Sequence, residues 1–335
     1  MIKEQPFTEI SDQNRKLSSA VYMEKLSSVE HYLEIGHNPR PVLQSISIEI
    51  MKGEIWAITG NNKYEMKLLL EIMANIKPYY NGRCVLMERG MMRHKRVILP
   101  HIFYIGNTNM AYNNMNVLEY LMFSTANSSS DVVSQQERIF EQLISFGLGN
   151  ISLTPISTLT PEYKALVLLI VAIYSLSQLL VFNLPALVFN EAQVTALINI
   201  KKYIRSSEQT LVISTLDPLL IERICDHTAF LYNGKLIFQG TTEEFRYKYD
   251  RIVLTIKDKN AQNLKERLIN ALPLYKYDIQ DQVITVRNYS ADNNNARQIY
   301  EEVVAAGFAP DKIRINPKTV KNACEEIIKQ YDLQE

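Results

Sequence analysis

The segment from Glu54 to Ile76 constrains the fold more than any other part of the chain. Glu54-Ile-Trp-Ala-Ile-Thr59 is an apolar run of strand length, and Gly60-Asn-Asn-Lys-Tyr64 is a turn. Residues 65–76 then place Met66, Leu69, Leu70 and Met73 at the spacing of one helix face. Strand, glycine turn and helix in that order is a phosphate-loop layout, in which a helix N-terminus points at an anion. Further on, residues 179–182, 210–214 and 228–231 read as strands alternating with helical segments, which predicts parallel strands joined by right-handed crossovers.

Around this core the pattern changes twice. Residues 21–26 and 44–50 alternate like strands of a half-buried antiparallel sheet, and the polar stretch 125–136 leads into helical patterning at 132–146 and 162–178. Asn233-Gly234 between two apolar runs is a hairpin turn. From about residue 249 the order becomes strand 252–256, helix 261–272, strands 275–279 and 283–286, helix 291–306 and strand 313–315, with a last helix at 320–331. That βαββαβ order is the split arrangement of ferredoxin-like domains. The reading divides the chain into a polar segment at 1–20, a large domain at 21–247 and a small α+β domain at 248–335.

Residues 165–189 carry no charge and are long enough to cross a bilayer. Gln178, Asn183 and Pro185 interrupt them, so they read as a buried helix followed by a buried strand of an α/β core. Lys plus Arg equals Asp plus Glu at 36 each, so no field over the whole molecule favours nucleic acid or anionic lipid, and such binding would need a local patch. Cys84, Cys225 and Cys324 lie far apart, without the pairing of a zinc site or a disulfide framework, as suits a reducing compartment. The first residues lack the apolar core of a signal peptide.

Several segments, in order, resemble the nucleotide-binding (ATPase) subunit of ATP-binding cassette (ABC) transporters, over about residues 21–245. Pro41-Val-Leu-Gln-Ser-Ile-Ser-Ile-Glu-Ile-Met-Lys-Gly-Glu54 is similar to the family's first strands, and Lys77-Pro-Tyr-Tyr-Asn-Gly82 to the segment after its phosphate-loop helix. Ile224-Cys-Asp-His-Thr-Ala-Phe-Leu-Tyr-Asn-Gly-Lys-Leu-Ile-Phe-Gln-Gly240 resembles its closing strands and hairpin, and the C-terminal unit resembles a small domain appended to some bacterial exporter ATPases. The resemblance implies an α/β fold of the ABC-type P-loop NTPase class: a parallel core sheet, an antiparallel β subdomain and a helical subdomain at about 110–178, with the ferredoxin-like domain appended.

The same alignment puts unsuitable residues at each place where the family does chemistry. The phosphate loop G-x-x-x-x-G-K-[ST] wraps phosphates with backbone N–H groups, neutralises them with lysine and ligates Mg²⁺ through the hydroxyl. Here it reads Gly60-Asn61-Asn62-Lys63-Tyr64-Glu65-Met66-Lys67, with Glu65 for the second glycine, Met66 for the lysine and Lys67 for the hydroxyl. A carboxylate about 4 Å from a phosphate charge repels it by roughly 4 kcal/mol at an effective dielectric near 20, much of a micromolar affinity. Lys63 or Lys67 could substitute for the lost lysine only by rotating about 100° per residue around the helix. The glutamine-loop position is Asn107, one methylene shorter than the family's residue. The signature loop becomes Leu159-Thr160-Pro161-Glu162-Tyr163, without glycine and with a proline that removes an N–H.

Asn183 stands for the Mg²⁺-holding carboxylate, Leu184 for the general base and Leu216 for the switch histidine. Glu191 lies too far along the chain to replace Leu184, Asn190 matches an aspartate of the dimer interface, and His227 falls on scaffold. Tyr32 is the candidate for the aromatic that stacks on adenine, or else a structural tyrosine.

The resemblance implies a non-catalytic subunit beside an active ATPase subunit, as hetero- or homodimer, with an integral-membrane permease, export being the direction that the appended domain's resemblance implies. Its place would be cytoplasmic, peripheral on the inner face of the plasma membrane, with membrane contact through the permease only and no nucleic acid. No cofactor is expected, ATP and Mg²⁺ being the alternative if the resemblance outweighs the lost residues. A soluble scaffold is a second reading, since the loss of charge from the helix at 162–178 suggests an apolar surface for a new partner. An ATPase using displaced residues is the third.

Overall fold

Alternation at the start of the chain produces the first sheet. Ser19–Ser28 buries Val21, Met23 and Leu26, and pairs antiparallel with Ile46–Met51 on one side and Tyr79–Leu86 on the other; Arg89–Gly90 completes the four strands. The computed structural model describes residues 19–32, 39–125, 131–175, 177–248, 252–287, 295–315 and 319–333. Most of the polar segment at 1–20 lies outside them, whereas its last two residues, Ser19 and Ala20, already belong to the first strand. The chain divides into two compact units, Met1–Gly240 and Thr241–Glu335.

In the larger unit the second sheet has six strands, in the order Lys235–Thr241, His227–Tyr232, Ile55–Gly60, Thr210–Ser214, Leu179–Asn183 and Ile102–Ile105. The four inner neighbour pairs from His227–Tyr232 to Ile102–Ile105 are parallel, as the alternating pattern predicts. Ile55, Trp56, Ala57, Ile58, Leu179–Asn183 and Thr210–Ser214 are buried throughout, because helices cover both faces of a parallel sheet. All of these strands end, at their C-terminal edge, around Gly60, Asn183 and Ser214, where open α/β sheets place their sites. Asn233 and Gly234 both take positive φ (49° and 76°), as the two-residue hairpin requires.

The uncharged run is a helix, Pro161–Tyr174, and then the buried strand Leu179–Asn183; among the described residues no helix is long and apolar enough to cross a membrane. This helix corrects the premise of the scaffold reading, a free apolar surface. Ala165, Leu166, Val167, Leu169, Ile170, Ala172 and Ile173 are all buried, so the absence of charge from residue 165 onward reflects packing on two sides and not a free apolar surface.

The smaller unit has a four-stranded antiparallel sheet ordered Lys276–Gln280, Val283–Arg287, Ile252–Lys257, Lys312–Ile315. Its core holds Leu254, Ile256, Leu264, Leu268, Ile284, Val286, Ile299 and Val303, contributed by the strands and by the helices Ala261–Ala271 and Asn295–Ala305. That is the split βαβ order expected from the sequence.

Candidate functional site

The phosphate-loop helix begins earlier than the sequence reading placed it. It runs Lys63–Met73, so five of the eight loop positions, Lys63 to Lys67, are helical and only Asn61 and Asn62 bridge to the strand ending at Gly60. The cause is local. Asn62 is the N-cap, its Oδ1 accepting the Tyr64 N–H at 2.9 Å, and no glycine opposes helix formation from there to Lys67. Glu65 then occupies the third helical position, where a carboxylate is favoured by the dipole. The Asn62-x-x-Glu65 spacing is a helix-start signature that was present in the sequence and missed. The N–H of Met66 is spent on the Asn62 carbonyl at 3.2 Å.

Early helix formation decides where every loop side chain goes. Met66 is wholly buried in the main core cluster with Leu68, Leu69 and Leu70. Lys67 is half exposed beside Glu71, 3.9 Å away, and Lys63 is exposed, so the structure offers no support for either as the missing loop lysine. Glu65 is buried at 2 % exposure. Its Oε1 accepts a hydrogen bond from the Tyr32 hydroxyl at 3.1 Å, and Asn62 Nδ2 donates to Tyr32 Oη at 2.8 Å, with a longer 3.4 Å approach to Glu65. Glu65 Oε2 is buried with no hydrogen-bond partner among the described residues. Burial first, and then the Glu65 carboxylate, push the Tyr32 phenol up to about 12. Tyr32, the candidate adenine stacker, therefore reaches into the loop with its hydroxyl, while the Arg40 guanidinium lies over its ring at 5.5 Å. Replacing Tyr32 by Phe deletes the donor to Glu65 and is expected to cost about 1 kcal/mol, read from the urea midpoint of the full chain.

Gly60, which alone survives from the motif, is required by packing. A Cβ on Gly60 would stand 2.3 Å from the carbonyl oxygen of Leu231 in the neighbouring parallel strand. Gly60→Ala should therefore cost about 1–3 kcal/mol by overpacking, with the same urea titration as the check. The surviving glycine says nothing about phosphate.

Across the strand edge, Asn183 is buried and saturated. Its Nδ2 donates to the Lys67 carbonyl and to Tyr104 Oη, each at 3.0 Å, and its Oδ1 accepts from Ser214 Oγ at 2.9 Å. Burial raises the Tyr104 phenol. The tyrosine turns back over Gly106, where a Cβ would meet its ring at 2.4 Å. Leu184 is half-buried in the turn after the strand, and Leu216 packs on the main core together with Tyr32 and Tyr104.

The remaining positions lie apart from this cluster. Asn107 is exposed, its Oδ1 accepting the Asn109 N–H at 3.0 Å in a local turn. Leu159 is buried, Thr160 is the N-cap of Pro161–Tyr174, and Pro161 sits in its first turn, where a missing N–H costs least; Glu162 and Tyr163 follow, half-buried. Asn190 caps the helix Glu191–Ser206 through a reciprocal pair with Gln193, and Glu191 is ion-paired with Arg223 at 2.5 Å. His227 stacks on Trp56 at 4.8 Å, at the opposite end of the strand from Gly60.

The fold implies an Mg-nucleotide, and these residues do not fit one. The loop is helical where it should wrap, a buried carboxylate held by Tyr32 and Asn62 occupies the cradle, and the metal-ligand position is an amide with both N–H groups spent internally.

No family model matches the chain. It is similar to the lantibiotic transport ATP-binding protein SrtF of Streptococcus pyogenes, 22% identical over 210 residues, which covers 62% of this chain and 87% of that protein. The methionine import ATP-binding protein MetN of Wolinella succinogenes is 24% identical over 208 residues, 61% of this chain and 69% of that protein. Among solved structures, cbiO1 of Clostridium perfringens, part of the ABC transporter complex cbiONQ, superposes with a TM-score of 0.56 at 17% identity, covering 76% of this chain and 96% of that one. At that identity the structural likeness establishes the fold.

Proposed function

We infer that this chain, a relative of the ATP-binding subunits of ABC transporters, does not hydrolyse ATP and acts as a structural or regulatory partner of an active ATP-binding subunit and its permease. The observation that carries this reading is the closed phosphate loop, in which Tyr32 and Asn62 hold Glu65 in the place of the second loop glycine. Buried carboxylates of this kind repel phosphate, and opening the loop would mean unwinding the first turn of a helix. Asn183 supports the same reading from the metal side, and Leu184 provides no group that could accept a proton.

On this reading the chain uses neither ATP nor Mg²⁺ as cofactor. It sits in the cytoplasm at the inner face of the plasma membrane, paired with a catalytic subunit. Family dimers complete each site with one subunit's phosphate loop and the other's signature segment, so Pro161 and Glu65 weaken both sites of a mixed pair. Such a partner tunes or holds the assembly and does not share its turnover equally. Purification of a tagged chain from its native membranes tests the proposal: a polytopic permease and an intact ATP-binding subunit should co-purify, and omitting this chain from the reconstituted assembly should change the partner's ATPase rate. Recovery of soluble partners alone would overturn it, and an unchanged rate would refute the regulatory role.

A further inference from the structure

Between Glu88 and Glu119 the chain has no carboxylate, although acids and bases balance over its whole length. Arg89, Arg93, Lys95 and Arg96 fall in that interval, with His94 among them, and all are exposed. Arg83, also exposed, joins them from the adjacent strand Tyr79–Leu86, which pairs with Arg89–Gly90. Glu88, the acid next in sequence, is already ion-paired with Lys52. The segment is pinned from below: Met91 and Ile98 are buried in the main core at 2 % and 0 % exposure. Between and after these anchors Met92, Val97 and Leu99 stand 60 %, 44 % and 42 % exposed among the cations. Beside them lies an open groove of about 760 Å³ lined by Tyr79, Arg83, Met91, Met92, Arg93 and His94.

We propose that this patch docks directly on an anionic lipid surface, its arginines and lysine at the headgroups and Met92, Val97 and Leu99 dipping into the interface. Two properties favour lipid over other polyanions. Cations interleaved with free apolar side chains are the composition of interfacial membrane segments, whereas a surface for duplex nucleic acid gains nothing from exposed Met, Val and Leu. Exposed large aliphatic side chains also lose water on entering the acyl boundary. The inference goes beyond the proposed function and is independent of it, since a permease is not required. It departs from the sequence expectation that membrane contact runs through the permease only.

The test uses the purified full chain and vesicles of phosphatidylcholine alone or mixed with phosphatidylglycerol. Co-sedimentation should occur with the mixed vesicles, weaken steeply with added salt, and be absent with the neutral ones. Each cation removed should lower partitioning by about fivefold, so the exposed double variant R93E/R96E should lose vesicle binding while its urea midpoint stays put. Met92→Ala should weaken binding with no change in its salt dependence. Equal binding to neutral and anionic vesicles, no binding to either, or a double variant that binds like the wild type would overturn the proposal. So would a short DNA duplex that binds as tightly as the mixed vesicles and displaces them.

Discussion

Met66→Lys, which restores the family's phosphate-loop lysine, is expected to destabilise the larger unit by about 3–5 kcal/mol. Position 66 lies inside the main core at 0 % exposure, one turn into a helix that starts at Lys63. A lysine there either stays charged without a partner or gives up its proton. Neutralising it at pH 7 from an ordinary value near 10.4 costs about 4–5 kcal/mol, and the four-carbon stem recovers part of that by snorkelling. Trp56, the single tryptophan, belongs to the same cluster, so its fluorescence in a urea titration follows this unit. The volume-conserving Met66→Leu should cost less than about 1.5 kcal/mol in the same titration. A lysine variant as stable as the wild type would show that position 66 reaches water, and the closed-loop account would fail with it.

Asn183→Asp is the second large effect, at about 2–4 kcal/mol, and it again runs against the motif it restores. The amide donates to the Lys67 carbonyl and to Tyr104; a carboxylate would turn an oxygen toward that carbonyl and bury a charge between the strand edge and the helix. Tyr104 and Ser214 can both donate to an aspartate, which moderates the penalty but leaves the Lys67 carbonyl facing an anion. Added Mg²⁺ should recover none of the loss, since the neighbouring loop is helical. If Mg²⁺ restored the urea midpoint, the site would be one substitution from a working metal centre, contrary to this account.

The scaffold was legible because it rests on local patterns. The strand before Gly60, the apolar helix and strand at 161–183, the Asn233-Gly234 hairpin and the βαββαβ order of the smaller unit each follow from periodicity or turn chemistry within a few residues. The departures from the family's loop residues were legible position by position. The contacts made there were not, because they join distant residues: Tyr32 to Glu65, Tyr104 to Asn183, and Gly60 to Leu231. Asn62-x-x-Glu65 was the one local cue, and the family's loop pattern, laid over the same residues, hid it. The expectation of a free apolar surface on the helix Pro161–Tyr174 failed for a related reason, since an apolar helix looks alike whether its sides meet a partner or its own core.

These replacements form a coherent set. Met66 fills the core, Asn62 caps the helix, Tyr32 closes over Glu65 and Tyr104 satisfies Asn183, so the strand edge at Gly60 and Asn183 is packed structure. Calorimetric titration of the full chain with Mg-ATP tests that claim most directly. The account predicts no saturable heat up to millimolar nucleotide, and one-to-one binding with a micromolar dissociation constant would contradict it.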